Sequence, residues 1–240
     1  MTSLATKVAI AGRLSPTDLT VETGQLVAVI GPNGGGKTSL LRAMARTEDA
    51  GGTISVEGHD LDAASEAERR RLVAFMPASR EAPWPIRAID FIALGLGARD
   101  DARIAHLIDA LELERLAHRP VDRLSTGERA RVMLARALAG KARLLLLDEP
   151  LSNLDPYWVL RTIDLLSGEI AQNDSSALVS VHDLALVDRF DRVLLVIGGA
   201  IIADGTPKHV LASEEFGAAF RIELADRGWA IRSAVPRSLR

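Results

Sequence analysis

The sequence predicts an α/β fold with a central, mainly parallel sheet, an N-terminal antiparallel β subdomain and an inserted helical subdomain. Three observations carry this prediction. Short β-branched or leucine runs are each followed by a helical stretch: Leu26–Ile30 then a helix from Lys37, Leu144–Leu147 then one from Pro156, and 177–181 then one from Leu184. The Leu144–Leu147 run is apolar without alternation, as a strand covered on both faces must be. Between residues 86 and 139 the period changes, with Ile86, Ile89, Phe91, Ile92, Ile104, Leu107, Ile108, Leu111 and Leu116 at helical spacing.

The remaining segments fit around that plan. The opening residues and 53–57 read as short hairpin strands beside the core, and 193–197 and 200–203, joined by Gly198 and Gly199, read as a third hairpin. No linker is rich enough in Gly, Ser or Pro to separate independent units. Residues 1–240 are therefore expected to form one domain, its core drawn from 1–85 and 140–240 and its helical subdomain from about 86–139.

Composition narrows the function classes. At 240 residues and 48% hydrophobic, the chain can bury one substantial core. With 29 Lys+Arg against 32 Asp+Glu, it lacks the positive field that nonspecific nucleic-acid binding needs. The absence of cysteine excludes disulfides, thiolate zinc sites and cysteine nucleophiles. No apolar run approaches the roughly 18 residues of a membrane span, and MTSLATKVAI lacks the pattern of a secretory signal, so a cytoplasmic location is expected.

Chemistry concentrates in three places. Gly31, Pro32, Asn33, Gly34, Gly35, Gly36, Lys37 and Thr38 match the phosphate-loop pattern, between an apolar strand and a helix that begins at Ser39. Glycines let successive backbone N–H groups surround an anion, and the helix N-terminus adds partial positive charge. Lys37 is expected to reach the β- and γ-phosphates of a nucleotide, and Thr38 to offer its hydroxyl to Mg²⁺. The leucine strand ends in Asp148 and Glu149, expected to hold Mg²⁺ and to accept a proton from the attacking water, respectively.

The third place is Leu124-Ser125-Thr126-Gly127-Glu128. Ser125 and Glu128 have capping-box spacing, but a cap does not explain a bare Gly127 in the first helical turn, where glycine costs about 1 kcal/mol against alanine. A close approach by a ligand would explain it. The segment resembles the LSGGQ signature of ABC ATPases, with Thr126 and Glu128 departing conservatively from the commonest form.

That resemblance extends over nearly the whole chain. Ser152-Asn153-Leu154-Asp155 is similar to the D-loop, which makes Asp155 a candidate catalytic residue, and His182 is similar to the switch histidine that contacts the γ-phosphate or the attacking water. The resemblance implies a fold of the phosphate-loop nucleoside-triphosphatase type and hydrolysis of ATP with Mg²⁺. It also implies a dimer in which the phosphate loop of one copy faces the signature (Ser125, Thr126, Gly127, Glu128) of a second. A membrane permease is the implied further partner, docked near Trp84, and would hold the protein at the inner face of the membrane. The segments 89–95, 204–207 and 210–220 are most similar to ATPases of iron-siderophore, haem and cobalamin importers.

Two departures stand out. Where the family has its Q-loop glutamine, this chain has Ala78, and its only glutamines are Gln25 and Gln172. Ser79 or Glu81, acting through water, is the expected substitute. The first aromatic residue is Phe75, so no upstream ring can stack on adenine, and Leu14 or Arg13 is expected to support the base instead.

Overall fold

The computed structural model describes residues 2–79, 85–225 and 228–231. The chain opens with a hairpin of β1 (Thr2–Ile10) and β2 (Leu14–Glu22), paired antiparallel with register shifts at both ends. Next come β3 (Leu26–Ile30), the phosphate loop and α1 (Lys37–Met44). The strands β4 (Gly51–Val56) and β5 (His59–Asp60) join the first hairpin in a four-stranded antiparallel sheet ordered β2-β1-β4-β5. The expected N-terminal β subdomain is therefore present, but β1 and β2 are nine residues each rather than short. Their length follows from the alternation of buried Leu4, Thr6, Val8 and Ile10 with outward-facing residues.

Helix α2 (Glu66–Leu72) leads to β6 (Val73–Met76). The helical insert follows as α3 (Ala88–Ala93), α4 (Asp101–Ala110) and α5 (Thr126–Ala139). Then come β7 (Leu144–Leu147), α6 (Pro156–Asn173), β8 (Ser176–Ser180), β9 (Arg192–Ile197), β10 (Ala200–Gly205), α7 (Pro207–Leu211) and α8 (Glu214–Phe220). The short pair β11 (Ile222–Ala225) and β12 (Gly228–Ile231) closes the described chain.

The second sheet runs β10-β9-β3-β8-β7-β6, parallel from β9 to β6, with β10 antiparallel at the edge. The third hairpin is thus part of the central sheet. Successive residues of its strands enter two separate cores: Leu26, Ala28 and Ile30 pack with Leu145, Leu147, Val179 and the helical insert, while Val27 and Val29 pack with Leu144, Leu146, Leu178, α1 and the antiparallel sheet. This two-sided burial is the reason these strands read as unbroken apolar runs.

One predicted helix differs. The segment from Leu184 is a 3₁₀-helix, Leu184–Arg189, rather than an α-helix. The Asp183 carboxylate accepts the Ala185 N–H at 2.9 Å, and the segment is only six residues long before the chain enters β9 at Arg192, in keeping with the short runs in which 3₁₀ geometry is used.

Helix α4 is fixed to α6 by a pair that the sequence reading did not anticipate. Arg103 donates to both carboxylate oxygens of Glu169, at 2.9 and 2.5 Å, and to the Leu138 carbonyl of α5 at 2.8 Å. Both side chains are buried, so one guanidinium joins two helices of the insert to the core.

Candidate functional site

The cleft lies at the C-terminal ends of β3, β7 and β8, where an open parallel sheet receives its ligand. Gly12, Arg13, Asn33, Gly34, Gly35, Gly36, Lys37, Thr38, Ser39, Glu149, His182, Gly198 and Gly199 bound a space of about 410 Å³. Gly31 and Pro32 lie beneath it, because the Lys37 Nζ donates to their carbonyls at 2.8 and 3.2 Å and so folds back across the loop. Burial pushes the Lys37 ammonium pKa down, while the charges of Glu149 and Asp148 pull it up; the net effect is a lowered value.

The loop is shaped by what it packs against. Gly36 caps α1 in a left-handed conformation (φ 106°), and a Cβ there would fall 2.8 Å from Gly199 Cα. The Gly199 N–H donates to the Gly35 carbonyl at 2.9 Å, and the Ser15 N–H donates to the Gly199 carbonyl at 2.8 Å. The Gly198-Gly199 turn, read from sequence only as a hairpin loop, therefore connects the N-terminal hairpin to the phosphate loop.

The acidic pair behaves as two different groups. Asp148 is 1% exposed; its Oδ1 accepts from the Ser180 hydroxyl at 2.7 Å, and its Oδ2 is buried with no hydrogen-bond partner. Glu149 sits in the left-handed region (φ 53°), which turns its side chain into the cleft. His182 Nε2 lies 2.6 Å from Glu149 Oε1, and the Ser152 hydroxyl donates to the Glu149 carbonyl at 2.7 Å and more weakly to Oε2 at 3.3 Å. Burial raises the Glu149 pKa, but the His182 hydrogen bond and charge, the Ser152 hydrogen bond and the Lys37 charge together outweigh it, and the carboxyl stays below the usual glutamate range. A carboxylate kept ionised beside an imidazole can accept a proton.

The metal expectation can be tested on the donors. The bare, buried Asp148 Oδ2, one residue before the cleft-lining Glu149, and the Thr38 hydroxyl of the cleft wall are hard oxygen donors of the kind Mg²⁺ takes alongside phosphate and water, so these residues fit the ion. The other candidates fall elsewhere. Ser125, Thr126, Gly127 and Glu128 form the first turn of α5, with the expected capping box: the Glu128 N–H donates to Ser125 Oγ at 3.3 Å, and the Ser125 N–H donates to Glu128 Oε2 at 2.8 Å. Ser125 and Thr126 are exposed and line no part of the cleft. Asp155 caps α6, accepting the Trp158 N–H at 3.0 Å, and does not reach the cleft.

Several expectations change. Gly127 does meet a close neighbour, but within its own chain: a Cβ there would fall 3.1 Å from the Asn153 carbonyl oxygen. Leu14 is 3% exposed in the second core and is not available to a base, whereas Arg13 lines the cleft, its guanidinium held by Glu48 at 2.9 Å. Ser79 is exposed and does not line the cleft; Glu81 and Trp84 lie outside the described residues. Ser180 was missed altogether, its only signal a hydroxyl in a buried strand.

A glycine-rich phosphate cradle between β3 and α1, with an acidic pair ending β7, one strand removed from β3 across β8 in the same parallel sheet, defines a nucleotide-binding protein of the phosphate-loop class. The sequence model of the ABC transporter family matches residues 14–152. The Cobalamin import ATP-binding protein BtuD of Halobacterium salinarum is 33% identical over 222 residues, covering 88% of this chain and 56% of its own length. This chain thus spans little more than half of that relative. The Hemin import ATP-binding protein HmuV of Pseudomonas fluorescens is 36% identical over 224 residues, covering 88% of each. The Lipoprotein-releasing system ATP-binding protein LolD of Ruegeria is 36% identical over 201 residues, covering 79% of this chain and 88% of its own. An ATP-binding cassette solved as a dimer in a post-hydrolysis state with ADP and Pi has the same fold, with a TM-score of 0.76 at 23% identity, covering 86% of this chain and 99% of its own. The chain belongs to the ABC transporter family.

Proposed function

We propose that this protein is the ATP-hydrolysing subunit of an ABC transporter, powering an importer of haem, cobalamin or iron-siderophore type. One observation carries the ATPase reading: Glu149 and His182 share a 2.6 Å hydrogen bond within the same cleft as Lys37 and the phosphate loop. Glu149 is the general base, its depressed pKa keeping it ionised to take a proton from the attacking water. His182 holds that carboxylate in position. Lys37 and the loop amides bind and orient the β- and γ-phosphates. Asp148 and Thr38 would hold Mg²⁺, which when bound would supply charge neutralisation for the phosphates.

The exposed first turn of α5 lies outside its own chain's cleft, which supports a dimer in which each signature closes the partner's site. The helix N-terminus attracts the γ-phosphate, and hydrolysis removes that attraction. Asp155 acts across the same dimer by fixing the D-loop at the head of α6. The import reading and the permease partner rest on the names of the cobalamin and haemin relatives. The lipoprotein-releasing relative favours an export reading as the alternative. Among the described residues no helix is long and apolar enough to cross a membrane, so a separate permease would provide the path and hold this subunit at the inner face.

The test is Glu149→Gln. It is expected to bind ATP, lose turnover by at least about a hundredfold and accumulate as an ATP-bound dimer. Normal turnover removes Glu149 from the role of base.

A further inference from the structure

Ser180, the last residue of β8, stands between the two carboxylates of the site. It is 1% exposed, on a strand whose other central residues, Ala177, Leu178 and Val179, are apolar and buried. Its hydroxyl oxygen is 2.7 Å from Asp148 Oδ1 and also 2.7 Å from the Glu149 backbone nitrogen. A hydroxyl has one hydrogen and two lone pairs. The Glu149 amide brings its own hydrogen, so the hydroxyl hydrogen goes to the carboxylate. Ser180 therefore donates to Asp148, which takes its one hydrogen, and accepts from the Glu149 N–H.

We infer that Ser180 is the positioning residue for both carboxylates, turning Asp148 toward the metal and fixing the backbone that aims Glu149 at water. Occupying Oδ1 from behind leaves Oδ2 as the bare oxygen, and Oδ2 is the atom with no partner in the folded chain. Holding the Glu149 N–H secures a left-handed residue that carries a side chain, a conformation that needs such support. The same turn brings Glu149 to His182. Among the described residues Ser180 is the one side chain that hydrogen-bonds the Asp148 carboxylate.

The inference rests on the ATPase reading, and the experiment separates the two. Mg²⁺ is titrated against binding of a fluorescent ATP analogue, and turnover is measured alongside, for the wild type, Ser180→Ala and Ser180→Thr. In Ser180→Ala, the Mg²⁺ concentration for half-maximal binding rises about tenfold and kcat falls about tenfold or more, as loss of a partner behind a metal ligand does. Analogue affinity in EDTA changes less than about twofold, because no metal is then involved. Ser180→Thr keeps the hydroxyl and stays within about threefold of wild type. Should Ser180→Ala not fold, Ser180→Cys, close in shape but a weak hydrogen-bond partner, must show the same Mg²⁺ shift. An unchanged Mg²⁺ dependence in a folded Ser180→Ala, or a Ser180→Thr protein that behaves like it, overturns the role of Ser180. A wild type without Mg²⁺-dependent ATP hydrolysis overturns the ATPase reading itself.

Discussion

Arg13 is where a single side chain changes what the cleft can recognise. Its guanidinium is pinned by Glu48 in the wall of the phosphate cleft, where none of the described lining residues is a Phe, Tyr or Trp, and offers a flat cation rather than a set of directed hydrogen bonds to a base. Such stacking is worth about 0.5–2 kcal/mol and accepts any purine face. ATP and GTP are therefore expected to compete for the wild type within about tenfold of each other, and Arg13→Ala to weaken both alike by about two- to thirtyfold. A strong preference for ATP in equilibrium competition contradicts this. Glu149 makes the second prediction at this scale. Its pKa is lowered in the folded chain, so, as the proposed base, Glu149 is expected to stay ionised until pH falls through that depressed value, below the ordinary glutamate figure of about 4.3. A kcat–pH profile whose acid limb, lost in no other way, sits well above that figure would mean another group serves as the base.

Among elements, the helix carrying the signature is joined to its surroundings at both ends. At its N-terminus Gly127 abuts the Asn153 carbonyl, and one turn later the Arg131 guanidinium lies 4.0 Å above the Trp158 ring of α6. Gly127→Ala gains about 1 kcal/mol of helix propensity but pushes Asn153 away. The variant should unfold within about 1 kcal/mol of wild type in urea yet lose ATPase activity more than tenfold; full activity would free the first turn of any role. At the far side, Glu169→Leu leaves Arg103 buried without its partner and is expected to cost about 3–5 kcal/mol in chemical denaturation, with much of that recovered in Arg103→Met/Glu169→Leu. These two relations also mark what the sequence could reveal. Phosphate binding depends on contiguous residues, so residues 31–38 and the acidic pair were legible. Ser180 pairs with Asp148 across 32 positions and Arg103 with Glu169 across 66, and no local pattern encodes either partnership. Gly127 was legible as an anomaly, but the Asn153 carbonyl that abuts it is brought near only by the fold.

For the whole molecule, the decisive matter is that the signature and the cleft of one chain do not complete each other. Two defective copies test this. A Lys37→Ala protein lacks the phosphate grip, and a Ser125→Arg protein lacks the closing turn. Mixed, half of the dimers pair one of each, and each such dimer holds one intact site, so activity should return to at most about a quarter of wild type. No recovery, with each variant folded and able to dimerise, means a site does not borrow from a second copy. The cargo was not legible in the same way: none of the described site residues bears on it, and the importer reading came from resemblance in 89–95, 204–207 and 210–220.

The Gly198-Gly199 turn ties Arg13 and the phosphate loop into a single backbone unit, with no side chain between them to yield. A side chain at position 199 would press on the Arg13 carbonyl, 2.3 Å from where its Cβ would fall, and through the Gly35 bond on the phosphate loop, so one change in this turn displaces two walls of the cleft together.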